Sequence, residues 1–484
     1  MKINKILTLL SCIILAGTVG EKTLAKEVVL QTPEVVTTSY DVSALEDRIA
    51  KLEYNQEHPS FEFHGYGRSG LLLNANNDLK KGKVFNKNGV GRLGNESDTY
   101  IEAELVKNFY LDNGSWSKWH IMFAKGTDDY NDWNENVALR QAYAEMGNLP
   151  VFSGAFKESV IWAGKRFYNR RDIHITDFYF TDYSGTGAGI DNIKIGNGML
   201  DLGVIARDYD SYDSVGPVTN SSKEDGLNVV NLLARYDIGS WEFDLGAAFS
   251  KDNENRTINN ENGDYNTYSA ADYGLQLGVF YNTPGYYWSG KGFSKIFAQV
   301  GYGLNAGDGL GTAGRGAEKN LDDALSARLG TFGVLPINEK WDLFTTVVAQ
   351  HNKNSKFNYN ATLLDPQGDS YSVDVDGLKS TWVSVVARPV YKINENFELQ
   401  FEAGYYYVTE EKDNGNDVDG NLYKLTFAPT FKLNSNDFWA RPEIRAFVTW
   451  AGWDNDYQKA FQSDLNSYSG KNGVNVGVQA EVWF

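Results

Sequence analysis

The closing residues Val474–Phe484 read VNVGVQAEVWF. Val474, Val476, Val478, Ala480, Val482 and Phe484 fall on one face of an extended chain, and Asn475, Gly477, Gln479, Glu481 and Trp483 on the other, because successive side chains of a strand point opposite ways. The same period of two recurs at three other places. Phe61, Phe63, Gly65, Gly67, Ser69 and Leu71 oppose Glu62, His64, Tyr66 and Arg68. Ile101, Ala103 and Leu105 oppose Tyr100, Glu102 and Glu104, and Phe397, Leu399, Phe401 and Ala403 oppose Glu398, Gln400 and Glu402. In a soluble sandwich the apolar face would be the core. Here the N-terminal secretion signal, the lack of any later apolar helix and the terminal Phe484 favour another arrangement, in which the apolar face meets lipid and the polar face lines a lumen.

The N-terminus supplies that signal. Lys2 and Lys5 precede the apolar run Ile6–Ala16, and Gly20–Lys26 turns polar, the pattern of a secretory leader with cleavage expected after Ala25. The run is too short for a good membrane span. Cys12, the only cysteine, lies inside it. Lipidation there is the minor alternative, since Ile13, Ile14 and Leu15 continue the apolar core. A mature chain from residue 26 then carries no disulfide. Within the periplasmic extension 26–60, Val42, Leu45, Ile49 and Leu52 form one apolar stripe at helical spacing. Ser43 and Glu46 can form a capping box. The reading is a short coiled coil at 42–56, which needs neighbouring chains already gathered together; a solitary helix packed on the next domain is the alternative.

Residues 61–484 read as one barrel domain. The chain is 14 % aromatic, with 48 Gly and 10 Pro, a balance that favours strands and turns. Turn-like clusters at Asn74–Lys83, Asp252–Asp264, Gly307–Gly316, Asp365–Asp369 and Asp413–Gly420 punctuate it. The length leaves room for roughly 16–18 strands, a width that makes an open pore unless loops narrow it. The stretch Trp162–Gly189 mixes Arg166, Arg170, Arg171, Asp172, Asp177 and Asp182 with Phe167, Tyr168, Phe178, Tyr179 and Phe180. Charges in that number cannot be buried unpaired, and rings in that number do not suit an open surface. A narrow wet passage accommodates both, and a sugar, apolar on its C–H face and rimmed by hydroxyls, suits such a passage.

Other chemistries fit less well. The net charge of −18 opposes nucleic acid as a partner. Gly307–Gly316 (GDGLGTAGRG) has no following Lys-Ser/Thr, so it reads as a loop rather than a nucleotide site. A calcium frame from Asp413 puts Val418 where Gly is needed and Lys424 where Glu is needed. No metal site or cofactor is expected, with adventitious calcium at a loop left open. His64 and His174 read as hydrogen-bonded wall residues. Asp172 and Asp177 resemble a glycosidase pair, but the crowd of arginines opposes a general-acid role, and no enzyme is expected.

FHGYGRSG (Phe63–Gly70), GRLGNESDTYIEAEL (Gly91–Leu105), NDW (Asn131–Trp133), the Trp162–Gly189 block, ARPVYK (Ala387–Lys392), ARPEIRAF (Ala440–Phe447) and EVWF (Glu481–Phe484) together resemble the maltoporin family. The resemblance implies an all-β fold, an 18-stranded antiparallel transmembrane barrel assembled as an outer-membrane homotrimer, each subunit with its own sugar channel. The helical stripe before the barrel resembles the N-terminal extension of the sucrose-porin branch. Matched motif to motif, the family's aromatic slide falls on Trp133, Tyr100, Tyr66, Trp483, Trp382 and Phe293. Its constriction falls on Tyr179 and Asp182, and its polar track on Arg68, Arg92, Glu102, Arg140, Arg170, Asp172 and Asp177. Two departures bear on function. Ser97 stands where enteric members have a disulfide partner, so that loop must be held another way. Arg170, Tyr179 and Asp182 keep the maltoporin residue types that the sucrose branch replaces. The resulting expectation is passive diffusion of maltose and maltodextrins through an outer-membrane pore contacting lipid. The alternatives are a sucrose or other oligosaccharide porin, an unspecific structural porin, and a surface receptor or adhesin acting through its loops.

Overall fold

A strand in a membrane must give every backbone N–H and C=O a partner, and closing the sheet on itself is how strands do so. The computed structural model describes residues 58–127, 137–209, 227–250, 255–259, 265–269, 271–316, 320–359, 375–411, 417–468 and 470–484. The expected leader, the 42–56 helix and Trp133 lie outside them, and the Asp413–Gly420 loop lies partly outside. Among the described residues, eighteen antiparallel strands each pair with the next in sequence. The first, Phe61–Asn74, also pairs with the last, Asn472–Trp483, from Tyr66↔Trp483 to Asn74↔Asn475. The ring is therefore closed.

Connections alternate in length. At one end the turns at 196–197, 239–240, 339–340 and 395–396 are two residues long, and Gly196 and Gly239 adopt the positive φ that such tight hairpins require. The other end carries the long loops. The cluster expected to be loop at Asp252–Asp264 contains instead a short strand, Asn255–Asn259, paired with Tyr265–Ser269; the pairing gives these backbone groups partners within the loop.

The burial pattern is inverted relative to a soluble protein. Apolar side chains stand on the outside: Ile101 is 53 %, Leu329 65 % and Leu425 55 % exposed. Polar ones are enclosed: Glu402 is 2 % and Glu481 1 % exposed. The apolar face read from Phe61–Leu71 and from the closing strand is the outer one, with Phe61, Phe63, Val478 and Phe484 all exposed. An enclosed charge needs a partner. Glu402 takes Arg388 and Lys424, each at 2.6 Å, Lys432 meets Glu443 at 3.2 Å, and Arg445 meets Glu481 at 2.7 Å.

Two segments fold inward and fill much of the lumen. Residues 167–184 carry two short strands, Arg171–Ile173 and Phe178–Thr181. Their Ile173, Ile175 and Phe180 pack against Phe280, Phe297, Phe332 and Phe344 of the wall. The second segment, around 85–97, contains Ser97 and is tied by hydrogen bonds. Asn95 Nδ2 donates to the carbonyls of Phe85 and Gly91, and its Oδ1 accepts from Phe85 N–H. The wall holds the same segment through Leu93 N–H to Glu402, Thr426 Oγ1 to Leu93 O, and Thr449 Oγ1 to Gly94 O.

Candidate functional site

The strand period puts Tyr66 and Trp483 on the lumen side of adjacent strands, and the register places them opposite each other. Their rings lie 6.5 Å apart and 17° from parallel. Tyr100, one strand further, is 6.2 Å from Tyr66. Beyond Trp483 the row continues with residues that alternation along a strand cannot place. His174, on the inward segment, meets Trp483 edge-on at 5.6 Å and Trp439 at 5.2 Å. Trp439, in the turn 433–442, is 6.4 Å from Phe293. The row Tyr100–Tyr66–Trp483–His174–Trp439–Phe293 thus runs to the short-turn end.

Charged groups flank the row. Tyr66 Oη donates to Glu481 Oε1 (3.0 Å) and accepts from Arg92 Nη2 (2.9 Å) and Arg68 Nη1 (3.2 Å). Arg68 holds Asp98 through two nitrogens, at 3.0 and 2.6 Å. Arg92 does the same with Glu96, at 3.0 and 2.9 Å, and reaches Glu481 at 2.7 Å. Burial alone would push the Glu96 carboxyl up, but Arg92, Arg68 and Lys87 outweigh it and hold Glu96 well below the usual carboxylate range. Tyr100 Oη donates to Glu102. His174 Nε2 accepts from Arg441 at 3.2 Å. Burial, aided by the charge of Arg92, keeps that imidazole neutral by lowering its pKa well below the ordinary value.

A further group of rings and charges gathers on the inward segment. The Arg170 guanidinium lies 4.2 Å from the ring centres of both Phe167 and Tyr179, and 3.8 Å from Asp182. Among the described residues its buried Nε has no hydrogen-bond partner. Arg140 approaches the other side of the group, 5.2 Å from the Phe167 ring. Asp182 is fixed by Ser184 and by its own N–H donating to Gly311 O. Asp177 takes Lys87 at 2.5 Å. Asp172 is pushed up to about 6, first by burial and then by the charge of Asp177, with Arg92 and Arg170 opposing.

A model of the family described as LamB porin matches residues 61–484, the whole barrel. The chain belongs to the LamB porin family. It is similar to the maltoporin of Vibrio cholerae, 31 % identical over 440 residues, covering 87 % of this chain and 94 % of that one. It is as similar to the maltoporin of Photobacterium profundum, 31 % identical over 457 residues, with 87 % and 93 % covered. Solved barrels align loosely, as with OprD from Pseudomonas aeruginosa (TM-score 0.44, 10 % identity, 88 % and 94 % covered).

As a LamB porin, the protein is a multi-pass β-barrel of the outer membrane, a channel. Of the residues marked in the sequence, this porin brings Tyr100, Tyr66, Trp483 and Phe293 into one row and places Arg68, Arg92 and Glu102 beside it. Arg140, Arg170, Asp172, Asp177, Tyr179 and Asp182 gather about the inward segment. Trp382 stands apart from the row, edge-on to Phe178 at 5.6 Å and 6.1 Å from Tyr406. Trp439 occupies the place in the row that the sequence reading gave to Trp382. It stands directly before the ARPEIRAF motif, a signal the strand period does not use. Arg441 of that motif lies 3.8 Å from the centre of the Trp483 ring; Lys87 joins the site without a sequence motif of its own, and His174, inside the Trp162–Gly189 block, joins it from the inward segment rather than from the wall.

Proposed function

We propose that this porin gives passive, facilitated diffusion to maltose and maltodextrins, working as a homotrimer with one channel per subunit. The observation that carries the reading is the row of rings in one lumen with Arg170, a partly exposed guanidinium stacked on Phe167 and Tyr179 that has, among the described residues, only the 3.8 Å ion pair with Asp182. Rings offer successive glucose units an apolar face. Arg170, Asp182 and Tyr179 exchange hydrogen bonds with hydroxyls as the sugar sheds water, and charge-assisted bonds are the stronger kind. Each contact must stay modest, because a deep well would trap the sugar. The maltoporin names of the relatives support the choice of sugar. The slide of this reading is Tyr100, Tyr66, Trp483, Trp439 and Phe293; Trp133, which the family resemblance adds to it, lies outside the described residues.

The test is block of single-channel current in planar bilayers by maltotriose, maltohexaose and sucrose. Three conductance steps per insertion are expected, with block that strengthens with maltodextrin length and reaches dissociation constants from ~1 mM to ~0.1 mM, about 4–5.5 kcal/mol. Preferential block by sucrose would move the protein to the sucrose branch. Large steps with no sugar block would leave the barrel and remove the sugar. Trp483→Ala should weaken block while ion flow persists; unchanged block would refute the slide.

A further inference from the structure

A second aromatic group lies away from the row. Trp382 and Tyr406, with Phe461 nearby, line a concavity of about 900 Å³, within the ~300–1,000 Å³ typical of small-molecule sites. Its walls come from three long-loop segments, through Asn88, through Asp308 and Arg315, and through Phe461 and Gln462, and from the long-loop ends of the strands Trp341–Tyr359, Val375–Asn394 and Phe397–Glu411. Its floor is the inward segment, through Asp177, Phe178 and Tyr179. Tyr179 is the ring under Arg170. The concavity therefore lies among the long-loop segments and shares Tyr179 with the Arg170 group, and neither Tyr66 nor Trp483 lines it.

The lining mixes the two kinds of group that a sugar presents. The rings Phe178, Tyr179, Trp382 and Tyr406 are interspersed with carboxylate, guanidinium and amide groups. A pocket meant for lipid or an apolar guest would not carry Asp177, Asp308 and Arg315, and one meant for a simple ion would have no use for Trp382. Trp382 is partly exposed rather than sealed in the wall, so packing against Phe178 leaves part of the ring available.

We propose that this pocket is a loading site for one pyranose unit of an oligosaccharide entering from the long-loop side, which hands the chain past Tyr179 to the slide. The proposal rests on the sugar-porin reading above and adds to it a site off the slide. A sugar held there meets the constriction at high local concentration, so the pocket speeds capture from one side only.

The experiment adds maltotriose to one side at a time of oriented full-length channels and reads association rates from current interruptions. Trp382→Ala should slow association from the long-loop side about fivefold, the loss of one stacked ring, with the short-turn-side rate and the conductance unchanged. Trp382→Phe should restore most of the rate. Phe461→Ala, further from the barrel wall, carries the same expectation where Trp382→Ala does not insert. Unchanged rates from both sides would overturn the loading site. Equal slowing from both sides, with altered conductance, would also overturn it and make Trp382 a support for the inward segment. A wild-type channel that maltotriose fails to block from either side would overturn the sugar reading itself.

Discussion

Arg92 and Arg170 reach into the same lumen in opposite conditions. Arg92 spends its donors on Glu96, Glu481 and Tyr66, and it is almost wholly enclosed. Arg170 lies against two rings, with its Nε 3.8 Å from Asp182 and, among the described residues, in no hydrogen bond. A saturated guanidinium has nothing left for a hydroxyl without breaking what it has. A guanidinium stacked on rings is held in place by its faces, which leaves its edge for a guest. On the proposed reading the two arginines divide the work: one keeps the wall and loop together, and the other is left to meet a passing molecule.

The largest expected effect is on the saturated side. Arg92→Ala leaves Glu96 and Glu481 enclosed with fewer cations, and should destabilise the folded barrel by about 3 kcal/mol, read from the urea midpoint in detergent. A midpoint shifted less than that of Arg170→Ala would break the division. Next comes Arg170→Ala, expected to leave the midpoint near wild type and to weaken maltohexaose block at least tenfold, from about 1.5–3 kcal/mol of lost charge-assisted bonding. Full block by that variant would place the working donor elsewhere. Smaller is the contrast between rings. Trp439→Ala should weaken block severalfold whichever side receives the sugar, by about 0.5–1.5 kcal/mol, and so differ from the one-sided effect of Trp382→Ala.

The smallest effect is of pH. Asp172 lies on the inward segment, outside the spanning strands, with Asp177, Arg92 and Arg170 as its charged neighbours. A carboxyl raised to about 6 is neutral at pH 5 and ionised at pH 7. Cation preference of the conductance should rise over that interval, and Asp172→Asn should flatten the rise. The sign for stability is fixed too: a raised carboxyl favours the fold most below its unfolded value, and that contribution is lost as pH climbs through 6. A cation preference that is level between pH 5 and 7 in the wild type would remove Asp172 from the lumen's charge.

Some of this was legible without coordinates. A period of two assigned the faces of Phe61–Leu71, Tyr100–Leu105, Phe397–Ala403 and Val474–Phe484, and with them the lumen positions of Tyr66, Arg68, Glu102 and Trp483. The period works because a strand's backbone leaves a side chain two choices. Trp439 escaped it because the turn 433–442 has no period, and its ring position depends on how the turn folds toward the lumen. Trp382 shows the converse. Its strand places it on the inner wall, but an inner wall has a circumference, and the sequence alone does not say which rings are neighbours around it.

The loop near Ser97 divides along the same line. Without a cysteine after residue 12, the sequence required some hold other than a disulfide. The closed barrel supplied it, bringing Glu402, Thr426 and Thr449, more than three hundred residues away in sequence, against Leu93 and Gly94. The sequence by itself determined the lipid-facing barrel, because alternation and composition are local properties of a chain. Only the tertiary structure decided which rings form one row, which arginine is spent and which is available, because those depend on distances across a lumen that no local pattern encodes.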